Sequence, residues 1–128
     1  MAVYSKVIFV KKIEKGRSVS YGRTFIAKKN MRVATLAIGY ADGYLRILSN
    51  KACVLINGAR CLLLGRVTMD QIVVDVTHVK GITEGTRAVI LGRSKDKHIT
   101  ADRLANWAGT INYEIVCSLG SRLKRIYR

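Results

Sequence analysis

Asn57-Gly58 stands between two short apolar runs, Cys53-Val54-Leu55-Ile56 and Ala59-Arg60-Cys61-Leu62, and this is the strongest short-range constraint on the fold. A two-residue loop joining paired strands needs positive φ at both central positions, which Asn and Gly adopt at little steric cost. The pattern predicts a tight hairpin with residues 52–56 as its first strand. Residues 3–13 and 17–26 are rich in β-branched and aromatic side chains and are separated by Glu14-Lys15-Gly16, so they read as two strands of one sheet. Further strands are expected at 32–38, 63–67, 71–76 and 86–91, the last entered through Glu84-Gly85 and left through Gly92. Residues 113–118 and 123–127 are expected to return as closing strands. One short helix is expected over residues 101–107: Thr100 can cap it, Asp102 suits the positive end of its dipole and Gly109 can end it. Leu104, Trp107 and Ala108 share a face of that helix, so Trp107 reads as core packing. The expected class is mainly β, a small β-barrel or sandwich of short strands with one short helix.

A chain of 128 residues, about half of them apolar, is long enough for one domain (1–128) with a single core and without disulfides or metals. The first ten residues are interrupted by Lys6 and followed by Lys11 and Lys12, so they form neither a signal-peptide core nor a membrane span. Cys53, Cys61 and Cys117 are odd in number and lack C-x-x-C spacing, which predicts reduced thiols and a cytoplasmic setting. His78 and His98 have no second ligand at metal-binding spacing, and no metal site is expected. The glycine-rich stretches 16–22 and 39–43 match neither a Walker loop nor a dinucleotide fingerprint, so nucleotide hydrolysis has no support.

Four segments carry chemistry: Ser18-Val19-Ser20-Tyr21-Gly22-Arg23-Thr24-Phe25, Gly39-Tyr40-Ala41-Asp42-Gly43-Tyr44, Gly65-Arg66-Val67-Thr68-Met69-Asp70-Gln71 and Thr110-Ile111-Asn112-Tyr113-Glu114. In order and spacing, along essentially the whole chain, they resemble the C-terminal domain of alanine racemases, enzymes that interconvert L- and D-alanine with pyridoxal phosphate (PLP). That family also has an N-terminal (β/α) barrel holding the PLP lysine, a part these 128 residues do not contain. The resemblance implies that Tyr21 is the acid/base on one face of the substrate α-carbon, opposite that lysine. Racemisation needs one group to take the proton and another to deliver one to the other face. A basic tyrosine requires positive charge beside it. On a strand Arg23 would share a face with Tyr21, while the main cationic partner in the family belongs to the barrel domain. The resemblance further assigns the substrate carboxylate to the Met69 backbone N–H, with Tyr40 lining the approach, and the PLP phosphate to the Tyr113 hydroxyl. Arg46, Arg66 and Ile111 then fall around the substrate corridor. Asp70 is expected to pin the Met69 turn through a side-chain oxygen. Apart from the resemblance, Tyr21 reads as a packed strand tyrosine, Met69 as core filling and the arginines as solvated charge.

Partners implied are a racemase barrel domain and a second subunit paired head to tail, with Tyr21, Tyr40 and Met69 completing the partner's site. No cofactor is expected on the isolated chain, no membrane is implied, and self-association stays open. Two compositional facts fall outside the resemblance. The net charge is +15, from 23 Lys and Arg against 8 Asp and Glu, and proline is absent, where average usage would give about six. Proline is common in the family where this chain has Ala37, Leu45, Leu62 and Lys124, which points to an engineered or selected variant. The charge supports an alternative function, a basic β-barrel that binds nucleic acid or acidic surfaces weakly and salt-sensitively, or a stand-alone scaffold. Lys11, Lys12, Lys15, Arg17, Lys28, Lys29 and Arg32, with Arg122, Lys124, Arg125 and Arg128, would form its footprint if folding gathers them.

Overall fold

In the computed structural model, which describes residues 1–127, the first expected strand keeps its bounds: β1 is Val3–Ile13. Its inward positions alternate at Val3, Ser5 and Val7, and the alternation then breaks. The break has a topological cause. Val3 to Lys6 pair with β8 (Arg87–Ser94), whereas Val7 to Ile13 pair with β4 (Met31–Leu36), with register shifts at Val3/Tyr4 and Val7/Phe9. One long strand is thereby shared between two neighbours, as a bulge-bent strand at a barrel corner must be.

The remaining strands are β2 (Ser18–Val19), β3 (Phe25–Ile26), β5 (Cys53–Ile56), β6 (Ala59–Leu64), β7 (Ile72–Asp75) and β9 (Lys97–Ile99). All pairings are antiparallel, in the order β1-β4-β7-β6-β5-β8, and the contact of β8 with β1 closes the ring. Closure removes the open edges that would otherwise template aggregation. The expected class, a small mainly β barrel or sandwich, therefore holds, and the β1–β8 pairing gives it its closed form. The Asn57-Gly58 hairpin forms as expected, pairing Ile56 with Ala59, with φ of 51° and 78° at the two turn residues. All four residues of β5 are buried, which explains why that strand reads as a continuous apolar run.

Several expected elements differ. Residues 17–26 are not one strand: β2 and β3 pair only with each other, around a 3₁₀ turn at Tyr21–Arg23. Val19 and Ala27 pack this small hairpin onto Ile13, Met31, Val33 and Leu64, a second apolar cluster beside the main core. The expected strand at 63–67 is the end of β6, which stops at Leu64 before Gly65. Strand β8 runs through Gly92 to Ser94 and turns back as β9.

Helix α1 (Ala101–Ala108) begins where Thr100 Oγ1 accepts the Arg103 N–H at 3.0 Å and ends at Gly109, φ 73°. Leu104, Ala105 and Ala108 are buried, and Trp107 packs half-buried against the core. Residues 113–118 form a second helix, α2 (Asn112–Ser118), instead of a strand, and residues 123–127 form none. Local β propensity in Tyr-Glu-Ile-Val-Cys yields to packing: Ile115 is buried in the main core, and Asn112 Nδ2 donates to Asp102 Oδ1 of α1 at 2.8 Å. No helix among the described residues is long and apolar enough to cross a membrane.

Candidate active site

Antiparallel order puts the C-terminal ends of β4 and β6 and the N-terminal ends of β5 and β7 at the same end of the barrel, as the pairs Leu36 with Ile72, Leu64 with Val73 and Cys53 with Leu62 show. Every loop carrying the Tyr40, Arg46, Arg66 and Met69 segments leaves from that end. The tip of the β2–β3 hairpin is tied to the same loops. Ser20 Oγ donates to the Arg66 carbonyl at 2.9 Å, and Asn50 Nδ2 to Thr24 Oγ1 at 3.0 Å. Asn50 also accepts the Gly65 N–H on its Oδ1 at 2.7 Å, while Ser49 Oγ accepts the Val67 N–H at 2.8 Å.

Tyr21 stands at this tip and is 45% exposed. It lies on the 3₁₀ turn and not on a strand, so the face-sharing expected for Arg23 does not arise. The cations that reach Tyr21 are Arg46 and Arg66. Arg46 Nε donates to the Tyr21 hydroxyl at 2.9 Å, and the Arg46 and Arg66 guanidinium carbons lie 5.7 and 5.4 Å from the ring centroid. The backbone around the residue is unusual: Ser20 has φ 64° and ψ 178°, a region costly for any side chain. Gly22, two residues on, adopts φ 74°, and a Cβ there would come within 2.9 Å of Arg66 Nε.

Tyr40 opens a second 3₁₀ turn, Tyr40–Asp42, which lies against the Met69 loop: the Tyr40 and Ala41 N–H groups donate to the Thr68 and Met69 carbonyls, both at 3.0 Å. This closeness depends on Gly39, since a Cβ there would collide with the Thr68 and Met69 backbone. Met69 is 52% exposed, so it does not fill core space. Among the described residues its N–H has no hydrogen-bond partner. Asp70 does not pin the turn. Thr68 does, accepting the Gln71 N–H on Oγ1 at 3.2 Å and donating to the Gln71 carbonyl at 2.9 Å, while Asp70 pairs with Arg122.

Tyr113, on α2, is 74% exposed, and Ile111 is exposed just before that helix. The same helix ends against the Tyr40 loop, where Ser118 Oγ donates to the Gly43 carbonyl at 3.0 Å. The structure thus brings Tyr21, Arg46 and Arg66 into contact and Tyr40 against Met69, with Tyr113 and Ile111 on a separate element docked to the second pair. Sequence reasoning missed Ser20, Asn50 and Asp42 as individual supports. All three fall in turn-forming stretches, and that was the only available signal.

The basic residues do not form one footprint. Lys11, Lys12, Lys15, Arg17, Lys28, Lys29 and Arg32 gather where β1 ends and β4 begins, at the other end of the barrel, while Arg122 sits beside Asp42 and Asp70 at the site. Arg128 lies outside the described residues.

Comparison with known proteins agrees in sequence and in structure. The family model described as "Alanine racemase, C-terminal domain" matches residues 1–127. Alanine racemase 1 of Clostridium acetobutylicum is 45% identical over 127 residues, covering 99% of this chain and 33% of the relative. The solved alanine racemase of Bacillus anthracis with bound L-Ala-P is 40% identical with a TM-score of 0.89, covering 95% of this chain and 31% of the other. That of Bartonella henselae, described with covalently bound pyridoxal phosphate, is 36% identical with a TM-score of 0.93, covering 99% and 34%. The chain therefore spans about a third of the length of the relatives it matches.

Proposed function

Because this chain belongs to the alanine racemase C-terminal domain family, we propose that it supplies one wall of a racemase active site, completed by a (β/α) barrel domain and acting on L- and D-alanine in the cytoplasm. The observation that carries this reading is the clustering of Tyr21, Tyr40 and Met69 at one barrel end, with the Tyr21 hydroxyl held by Arg46.

The chemistry assigned to each residue follows from its surroundings. Tyr21 exchanges a proton with one face of the substrate α-carbon. Arg46 fixes its hydroxyl and places positive charge where the oxygen becomes negative, and the Arg66 guanidinium lies over the ring. Among the described residues the Met69 N–H is unpaired, on a turn that Thr68 closes, which suits a substrate carboxylate, and Tyr40 narrows the approach beside it. Arg46 and Arg66 attract that carboxylate toward the site, with Ile111 bounding the corridor.

The exposed Tyr113 hydroxyl is a stiff neutral donor and fits one phosphate oxygen of PLP, while by the family resemblance the lysine that holds the cofactor belongs to the barrel domain. When bound, the cofactor withdraws charge from the α-carbon. The 128 residues alone are accordingly assigned no activity. We attribute the missing prolines to replacement. Leu45 keeps φ at −57°, within the range proline imposes, and among the described residues its N–H donates no hydrogen bond.

The test is D-alanine production from L-alanine with PLP, comparing this chain alone with the chain fused to a racemase barrel domain. Activity in the fusion alone is the expected result. A folded fusion with no activity would sink the reading.

A further inference from the structure

Arg122 is remote in sequence from Tyr40 and Met69, yet it bridges the two loops that carry them. Its Nε lies 3.2 Å from Asp42 Oδ1, and its Nη1 lies 2.8 Å from Asp70 Oδ1. Asp42 closes the turn that Tyr40 opens, and Asp70 follows Met69. Asp42 is only 6% exposed, and its Oδ2 accepts the Gly39 N–H at 2.9 Å. A buried carboxylate is tolerated when its lone pairs are filled and a cation is beside it. Among the described residues, Arg122 is the cation paired with Asp42. Asp70, by contrast, is more than half exposed, so its bond to Arg122 is not needed to offset burial. What that second bond adds is a fixed spacing between the loops, because a planar guanidinium holds two acceptors in a set geometry. The segment that carries Arg122 is anchored independently, by the Gly120 N–H on the Asp42 carbonyl at 2.9 Å and by Ser118 Oγ on the Gly43 carbonyl.

We propose that Arg122 is a positioning residue, a strap that fixes Tyr40 relative to the Met69 N–H and thereby sets how tightly a small carboxylate is held between them. The substrate half of this proposal rests on the racemase reading; the strap itself does not. A lysine at this position offers a point charge instead of a fork, so it restores charge without restoring spacing.

Two measurements test the strap. In the 128-residue chain, amide hydrogen exchange reads the Tyr40 and Ala41 N–H groups, which bond the Thr68 and Met69 carbonyls. Arg122→Gln should speed their exchange about tenfold while amides of β5 and β6 keep their protection, and Arg122→Lys should fall between. In the barrel fusion, Arg122→Gln should raise KM for alanine about tenfold with kcat held within about twofold, and Arg122→Lys should recover part of the loss. If Arg122→Gln does not fold, Asp70→Asn keeps the buried Asp42 pair and should show the same pattern more weakly. Unchanged exchange at Tyr40 and Ala41 would overturn the strap. Faster exchange with unchanged KM would overturn its link to substrate. A wild-type fusion without activity would defeat the proposed function, while the exchange measurement would still decide the strap.

Discussion

The Tyr21 hydroxyl is held by a side chain 25 residues away, and a single hydrogen bond to Arg46 decides where its oxygen points. Replacing Arg46 with Met keeps the length and removes the donor, so in the barrel fusion kcat should fall by about tenfold, the scale of one lost charge-assisted bond. Circular dichroism should show an intact fold, because both partners are exposed. The resemblance had placed Arg46 only in the corridor. Its contact with Tyr21 was illegible in sequence, since it depends on a hairpin tip folding over a distant loop. The cysteines carry a different prediction. Burial, with the negative charge of Asp75 adding to it, pushes the Cys61 thiol up to about 12, and burial raises Cys53 as well. The folded domain thus keeps protons that the unfolded chain releases near the ordinary thiol value. This stability is fully present below about pH 8.5 and is lost as pH rises through 9 toward the folded value. Thermal melts should be flat from pH 7 to 8 and fall steadily above 9. The exposed Cys117 should react with a thiol reagent in the folded state, and the buried pair only on unfolding.

Among the elements, the two loops that meet at Gly39 are the most sensitive. A methyl group there points at the Thr68 and Met69 backbone, which cannot swing aside as a flexible side chain would. Gly39→Ala should cost about 1–3 kcal/mol in chemical denaturation. In the fusion it should lower activity more than a change of equal cost in the core, because it separates Tyr40 from Met69. The elements that were legible have local causes. Asn57-Gly58 carries its turn in its own φ preferences, and Thr100 with Gly109 brackets α1 through caps that sequence displays. The elements that were not legible have distant causes. The apolar pattern of α2 fits a strand until Ile115 is seen in the core, and residues 17–26 look extended until Gly22 turns the chain at positive φ. Gly92, expected to follow the strand, lies within β8 close to Ala2.

At the scale of the whole molecule, a closed antiparallel ring fixes the ends of β4, β5, β6 and β7, and the candidate site consists of the loops between them. The fold is therefore rigid where the site needs support, and the chemistry sits on loops tied together by Ser20, Ser49, Asn50 and Asp42. Ring closure was not readable from strand spacing, which fits a sandwich equally well; it follows from β1 being long enough to serve both β4 and β8. The basic residues that gather where β1 ends and β4 begins lie at the opposite end of the barrel from these loops. The central claim is that Tyr21 serves one face of the substrate, and its direct test uses the barrel fusion in heavy water. The wild type should exchange the α-proton of both alanine enantiomers and interconvert them. Tyr21→Phe should still exchange the α-proton of one enantiomer, should leave the other untouched, and should interconvert neither. Interconversion at the wild-type rate, or exchange lost equally from both enantiomers in a folded variant, would contradict the assignment.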